Sequence, residues 1–299
     1  MISDVAPIAL VFGAAFGLKR LGLLSPQDGG ALLRAVFALG APALIFLSIT
    51  RVDIDASFLR LCLVSPLIVG ISLAVVLLLR RRVLRNVDVA RFAPFVTGVV
   101  VMNTGFLIPF VERATGAEGL ARFAVIDTVN GLVTFSVVYA VVVHLAHDQP
   151  DRSFVMRKLL VSPPLWALVA GLVVALADIP VHEVTTATFE LIARAVGAMI
   201  MIALGVLFEP RFTAPRLLTG AILLRFGLGA AIGLGFVAVS GLSGLDAQIV
   251  LFAALAPVGV NTITFAQLEN LDTGFAASLV STSLLVGFLL SPFTVSILT

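Results

Sequence analysis

Two amide-hydroxyl pairs, Asn103-Thr104 and Asn261-Thr262, stand beside helix-breaking residues in otherwise apolar stretches. Gly98, Gly105 and Pro109 flank the first pair, and Pro257 and Gly259 precede the second. Proline removes a backbone donor and glycine loosens a helix, so both stretches are expected to unwind partway along. The cut ends then carry partial charges that can hold a polar ligand. The plain alternative is two kinks filled by packing, since both residue types are frequent in spanning helices. Two pairs, each next to a breaker, favour a binding site. The candidate ligand residues are Asn103, Thr104, Gly105, Pro257, Gly259, Asn261 and Thr262, with Pro109 and Pro257 as break points.

Two ionisable residues inside apolar runs need a reason, because a charge at mid-helix costs about 2.5 to 3.5 kcal/mol on insertion scales. Asp127 lies roughly 10 Å and Arg225 roughly 12 Å into their runs at 1.5 Å per residue. Asp127 and Asn130 are spaced i,i+3 and share one helix face. Either Asp127 couples protons while Asn130 binds substrate, or the two are a polar pair joining helices. Arg225 either balances an anionic substrate or snorkels to the interface. Glu190 and Arg194, spaced i,i+4, read as a structural ion pair.

Other chemistry is not indicated. His144, His147 and His182 lack the spacing of a metal site, and no nucleophile elbow, P-loop or zinc-peptidase helix occurs. No enzyme activity, cofactor or metal is therefore expected. Gly13 to Gly17 and Gly229 to Gly233 have GxxxG spacing, which predicts close helix packing. Cys62 is the single cysteine, so no intramolecular disulfide forms.

The elements that must position these residues are membrane helices. Hydrophobic residues make up 60% of the chain and charged ones 12%, with a mean hydropathy of +1.15. No soluble core absorbs that much apolar surface. The net charge of +2 is small and scattered, which argues against nucleic acid as a partner. Apolar runs predict ten spans, at 2–18, 31–49, 59–79, 93–111, 120–145, 159–178, 186–208, 217–240, 247–267 and 276–298. The first lacks a basic leader and reads as a retained helix. Of the 19 Lys and Arg residues, 14, Arg34 among them, fall on one face, which the positive-inside rule makes cytoplasmic; Met1 and Thr299 then lie outside.

The chain also resembles itself. Pro7 matches Pro164, and Gly40-Ala41 matches Gly197-Ala198, at an offset of 157; Asn103-Thr104 matches Asn261-Thr262 at 158. Five helices cross an odd number of times, so a second copy enters inverted. The expected organisation is a first repeat at 1–146, a cytoplasmic linker at 147–158 and a second, inverted repeat at 159–299.

The opening PIALVFGAAFGLKRLGLLSPQDGGALLRAVFALGAPALIFLSI resembles the first two helices of the auxin efflux carrier family, bacterial permeases included. NTGFLIPFVERATGAEGLARFAVIDTVNGLV and APVGVNTITFAQLENLDTGFAASLVSTSLLVGFLLSP resemble its fourth and fifth and its last two helices. The resemblance runs the whole chain. It implies an all-α integral membrane protein of ten helices, a five-plus-five inverted repeat, and a mobile part moving against a scaffold. By that likeness helices four and nine cross at Asn103 to Pro109 and Pro257 to Thr262, with Asn130 nearby. The function expected is secondary active transport of a small organic anion by an elevator-type cycle in a bacterial inner membrane, proton-linked if Asp127 is the coupling carboxylate of the two readings above. Dimerisation through a scaffold helix is a further implication. A sodium-coupled bile-acid-type symporter and a membrane receptor of the same fold are the alternatives. The long cytoplasmic loop of plant carriers is missing.

Overall fold

The computed structural model describes residues 2–51, 56–146, 161, 163–210 and 212–298. The expected linker at 147–158, with Arg152, Arg157 and Lys158, lies outside the described residues, as do Met1, Arg211 and Thr299.

Among the described residues the chain is all helix, with no strand. We number the helices α1 (Ile2–Arg20), α2 (Pro26–Ala35), α3 (Ala41–Ile49), α4 (Ala56–Arg82), α5 (Val89–Val100), α6 (Thr104–Val133) and α7 (Tyr139–Ala146). The second half holds α8 (Pro163–Leu176), α9 (Glu183–Leu207), α10 (Pro215–Ser240), α11 (Gly244–Ala254), α12 (Asn261–Leu268) and α13 (Thr273–Leu298). Wide π turns at Val36–Gly40 and Thr134–Val138 join α2 to α3 and α6 to α7.

The helix starts follow local chemistry. Ser25 and Asp28 form a reciprocal capping box with Pro26 at the first position of α2. Asp88 accepts from Arg91 N at 2.9 Å to open α5, and Asp272 accepts from Phe275 N at 2.8 Å to open α13.

Six helical stretches are long and apolar enough to cross a membrane: Pro26–Leu47, Leu59–Arg82, Thr104–Ala146, Glu183–Leu207, Pro215–Ser240 and Thr273–Ser291. The third counts 43 residues, roughly twice the length a ~30 Å hydrocarbon layer needs. It is folded on itself, because Gly116 turns at φ +64° and ψ −155°. That φ suits glycine alone, and a Cβ on nearby Gly119 would meet Thr115 Oγ1 at 2.0 Å. The expected fourth span, 93–111, is also not continuous: α5 stops at Val100 and α6 starts at Thr104. The expected ninth span, 247–267, is likewise divided into α11 and α12.

The helices pack as two groups. One contains α1, α2, α3, α8 and α9; the other contains α4, α5, α6, α7, α10, α11, α12 and α13. They meet mainly through α6, which lies against α1, α3, α8 and α9. This seam is apolar and aromatic: Phe12 of α1 meets Phe288 of α13 edge-on at 4.9 Å, and Phe288 is backed within its own group by Phe106 of α6 at 4.9 Å. Ion pairs instead tie elements within each group. Arg51 bonds Glu190, and Arg194 lies 3.6 Å from Glu190, the pairing expected from their spacing. Arg122 bonds Asp246 at 2.6 Å.

Candidate binding site

The two helix breaks touch. Between α5 and α6 the backbone at 101–103 is extended, and between α11 and α12 the segment 255–260 leaves the helix. Met102 and Val258 form an antiparallel bridge, with Asn103 N donating to Pro257 O at 2.8 Å and Gly259 N donating to Val101 O at 2.9 Å. Each break satisfies the donors that the other has freed, as buried backbone requires. The approach demands a glycine: a Cβ on Gly259 would meet Val101 Cγ1 at 2.5 Å and Met102 O at 3.2 Å. Val258 N donates to Ser283 Oγ on α13 at 3.0 Å, which anchors the second break. The first break falls before Pro109, which sits inside α6 and is not the break point. Pro109 instead packs where Gly197 of α9 leaves room, its Cβ 3.3 Å from the position of a Cβ there.

Four helix ends thus converge, with α5 and α11 ending at the crossing and α6 and α12 beginning there. The starting ends line a cavity of about 1120 Å³. Asn103, Thr104, Gly105, Asp127, Asn130, Gly259 and Asn261 are on its wall; Pro257, Thr262, Pro109 and Arg225 are not. Its floor is buried and its mouth exposed at Pro26, Gln27, Arg34 and Gln267.

A hydrogen-bonded network shapes the floor. Asn103 caps α6, its Oδ1 accepting from Phe106 N at 3.2 Å. Asn130 Nδ2 donates to Met102 O at 3.2 Å and to Thr104 Oγ1 at 3.3 Å, and the Thr104 hydroxyl donates to Asp127 Oδ1. Asp127 and Asn130 therefore share the helix face their spacing predicts, and both reach the break. Among the described residues two atoms of this network have no protein partner: Asn103 Nδ2 and Asn130 Oδ1, in residues only 6% and 5% exposed. A buried polar atom left unpaired costs about 1 to 3 kcal/mol, so this donor and this acceptor favour a ligand that completes them. Thr262 Oγ1 is also buried and unpartnered but lies off the cavity wall.

Arg225 behaves differently from both expectations. It is 0% exposed, so it does not snorkel, and it is absent from the cavity wall, so it does not face cargo there. Its guanidinium donates to Ala256 O at 2.9 Å, Ala254 O at 2.8 Å and Val99 O at 3.3 Å. The glycine pair Gly229 and Gly233 makes this reach short, since a Cβ on Gly229 would meet Ala254 O at 2.1 Å and one on Gly233 would meet Ala254 Cβ at 2.7 Å. The predicted close packing holds there. It does not hold at Gly13 and Gly17, which have nothing within 4 Å.

Sequence reasoning missed the mouth. Arg34 counted only as an orientation charge, yet it lines the cavity. Thr264 and Gln267 follow Asn261 at intervals of three on the cavity wall, a polar stripe visible in the sequence as one face of α12.

A family model described as membrane transport protein matches residues 1–299. An uncharacterized transporter of Methanothermobacter thermautotrophicus is 28% identical over 280 residues, covering 92% of this chain and 91% of the relative. Interrupted helices meeting beside a cavity with a few polar groups at its floor are the architecture expected of such proteins. The chain is a transmembrane protein belonging to the membrane transport protein family, that of the auxin efflux carriers.

Proposed function

We propose that the protein is a secondary active transporter that moves a small organic anion, a carboxylate, by an elevator-type cycle. The observation that carries this reading is the unpartnered pair, Asn103 Nδ2 and Asn130 Oδ1, at the cavity floor beside the starts of α6 and α12. Each helix start carries about half a positive charge, and its first N–H groups have no intrahelical acceptor. A carboxylate accepts from Asn103 Nδ2 in the positive field of those two helix starts, while Asn130 Oδ1 takes a donor on the cargo. Asn261, Thr264 and Gln267 line its path, and Arg34 draws anions to the mouth. Asp127, bonded to Thr104 beside the floor, is the proton-coupling carboxylate.

The helix grouping supports the motion. The group of α1, α2, α3, α8 and α9 serves as scaffold and dimer contact, and the other group carries the cargo. An apolar aromatic seam slides with few polar bonds to exchange. In this reading the chain makes ten spans in the inner membrane as two inverted repeats, 1–146 and 159–299, with both termini outside. The cavity mouth at Gln27 and Arg34 then faces the cytoplasm. The test is uptake in proteoliposomes of an identified carboxylate by Asn103→Ala and Asn261→Ala. Both variants are expected to raise half-saturation for uptake at least about tenfold; wild-type uptake by both would refute the site. Asn261→Ala is the cleaner arm, because Asn103 also caps α6 at a cost of about 1 kcal/mol.

A further inference from the structure

The face of the crossing opposite the cavity holds a fully buried cation that transport as proposed does not use. There α5 and α11 end, and the last carbonyls of a helix have no intrahelical donor. Each such end carries about half a negative charge, so two together present about one. The Arg225 guanidinium carries one positive charge and donates to an oxygen of both ends, Val99 O for α5 and Ala254 O for α11, and to Ala256 O in the break just beyond α11. Among the described residues no carboxylate pairs with it, so the helix ends themselves are its counter-charge. Three converging carbonyls of this kind are also what a partly dehydrated monovalent cation takes in place of its water.

We propose that Arg225 is a tethered substitute for a coupling cation: it occupies the carbonyl cage at the back of the crossover and makes cargo movement there independent of sodium. Arg225 sits on α10, in the same helix group as α5 and α11, so it travels with the crossing and holds both breaks in register throughout a cycle. It is a positioning residue, acting on cargo through the backbone of 101–103 and 255–260. A sodium gradient cannot be coupled at a cage filled by a covalently attached charge.

The test reads thermal melting of the purified protein and uses no cargo, so its outcome is separate from that of the transport reading. Wild-type protein is expected to melt at one temperature in sodium, potassium or N-methylglucamine buffers. Arg225→Ala is expected to melt several degrees lower and to recover much of that loss in millimolar methylguanidinium, but not in N-methylurea, which has a similar shape without the charge. Three results overturn the proposal: unchanged melting of Arg225→Ala, equal rescue by both compounds, or stabilisation of the wild type by sodium. If Arg225→Ala yields no folded protein, hydrogen exchange of Arg225→Lys decides. Faster exchange at the Asn103 and Gly259 amides sustains the clamp, and wild-type exchange there overturns it.

Discussion

The two faces of the helix crossing are built to opposite rules. On the Arg225 side the helix ends are carbonyl ends, and a single guanidinium bonds three backbone oxygens there inside a site closed to solvent. On the cavity side they are amide ends, and two buried side-chain atoms are left unpaired. The same interruption of two helices thus produces a finished face and an unfinished one. A broken helix in lipid must satisfy its freed groups, and here the chain completes one side for itself and leaves the other to a ligand.

Substitutions that break the finished face should cost the most. Gly229→Ala drives a methyl group onto Ala254 O and pries Arg225 from its carbonyls. We expect a loss of about 3 kcal/mol, the upper range of overpacking, read as a lower melting temperature in detergent. Gly259→Ala pushes on Val101 Cγ1 and, less closely, on Met102 O at the crossing itself, a milder clash than the direct one with Ala254 O. About 2 kcal/mol is expected by the same measurement.

The unfinished face should answer in function, not in stability. Asn261→Ala removes a cavity-wall amide to which the structure gives no hydrogen bond, so melting should stay within about 0.5 kcal/mol of wild type. Half-saturation for cargo should rise at least about tenfold, equivalent to 1.4 kcal/mol. The smallest effect belongs to Gly13→Ala, on a face of α1 with nothing within 4 Å. Melting within about 0.5 kcal/mol of wild type is expected, and a large loss would reveal a partner packed there.

Much of this was legible in the sequence, and the reasons are local. Asn103-Thr104 and Asn261-Thr262 marked the two breaks because amides and hydroxyls are costly in apolar runs, and the i,i+3 spacing of Asp127 and Asn130 placed both on one face. What remained hidden is tertiary. Pro109 looked like a break point, but the pairing of Asn103 N with Pro257 O sets the interruption before it. Arg225 looked like cargo's counter-charge or an interface residue, because no sequence pattern names three backbone carbonyls from two other helices as its partners. GxxxG spacing meets a packed neighbour at Gly229 and none among the described residues of this chain at Gly13, since spacing identifies a flat helix surface and not the neighbour that fills it. Arg34 was read for orientation alone, because only the packing of α2 brings it to the cavity mouth.

The most direct measurement is a density map of the protein with its transported carboxylate bound. We expect the carboxylate to sit at the starts of α6 and α12, within about 3 Å of Asn103 Nδ2, with Asn130 Oδ1 engaged and Arg225 still on its three carbonyls. Cargo bound elsewhere, with Asn103 and Asn130 left as they are here, would contradict the division between the two faces.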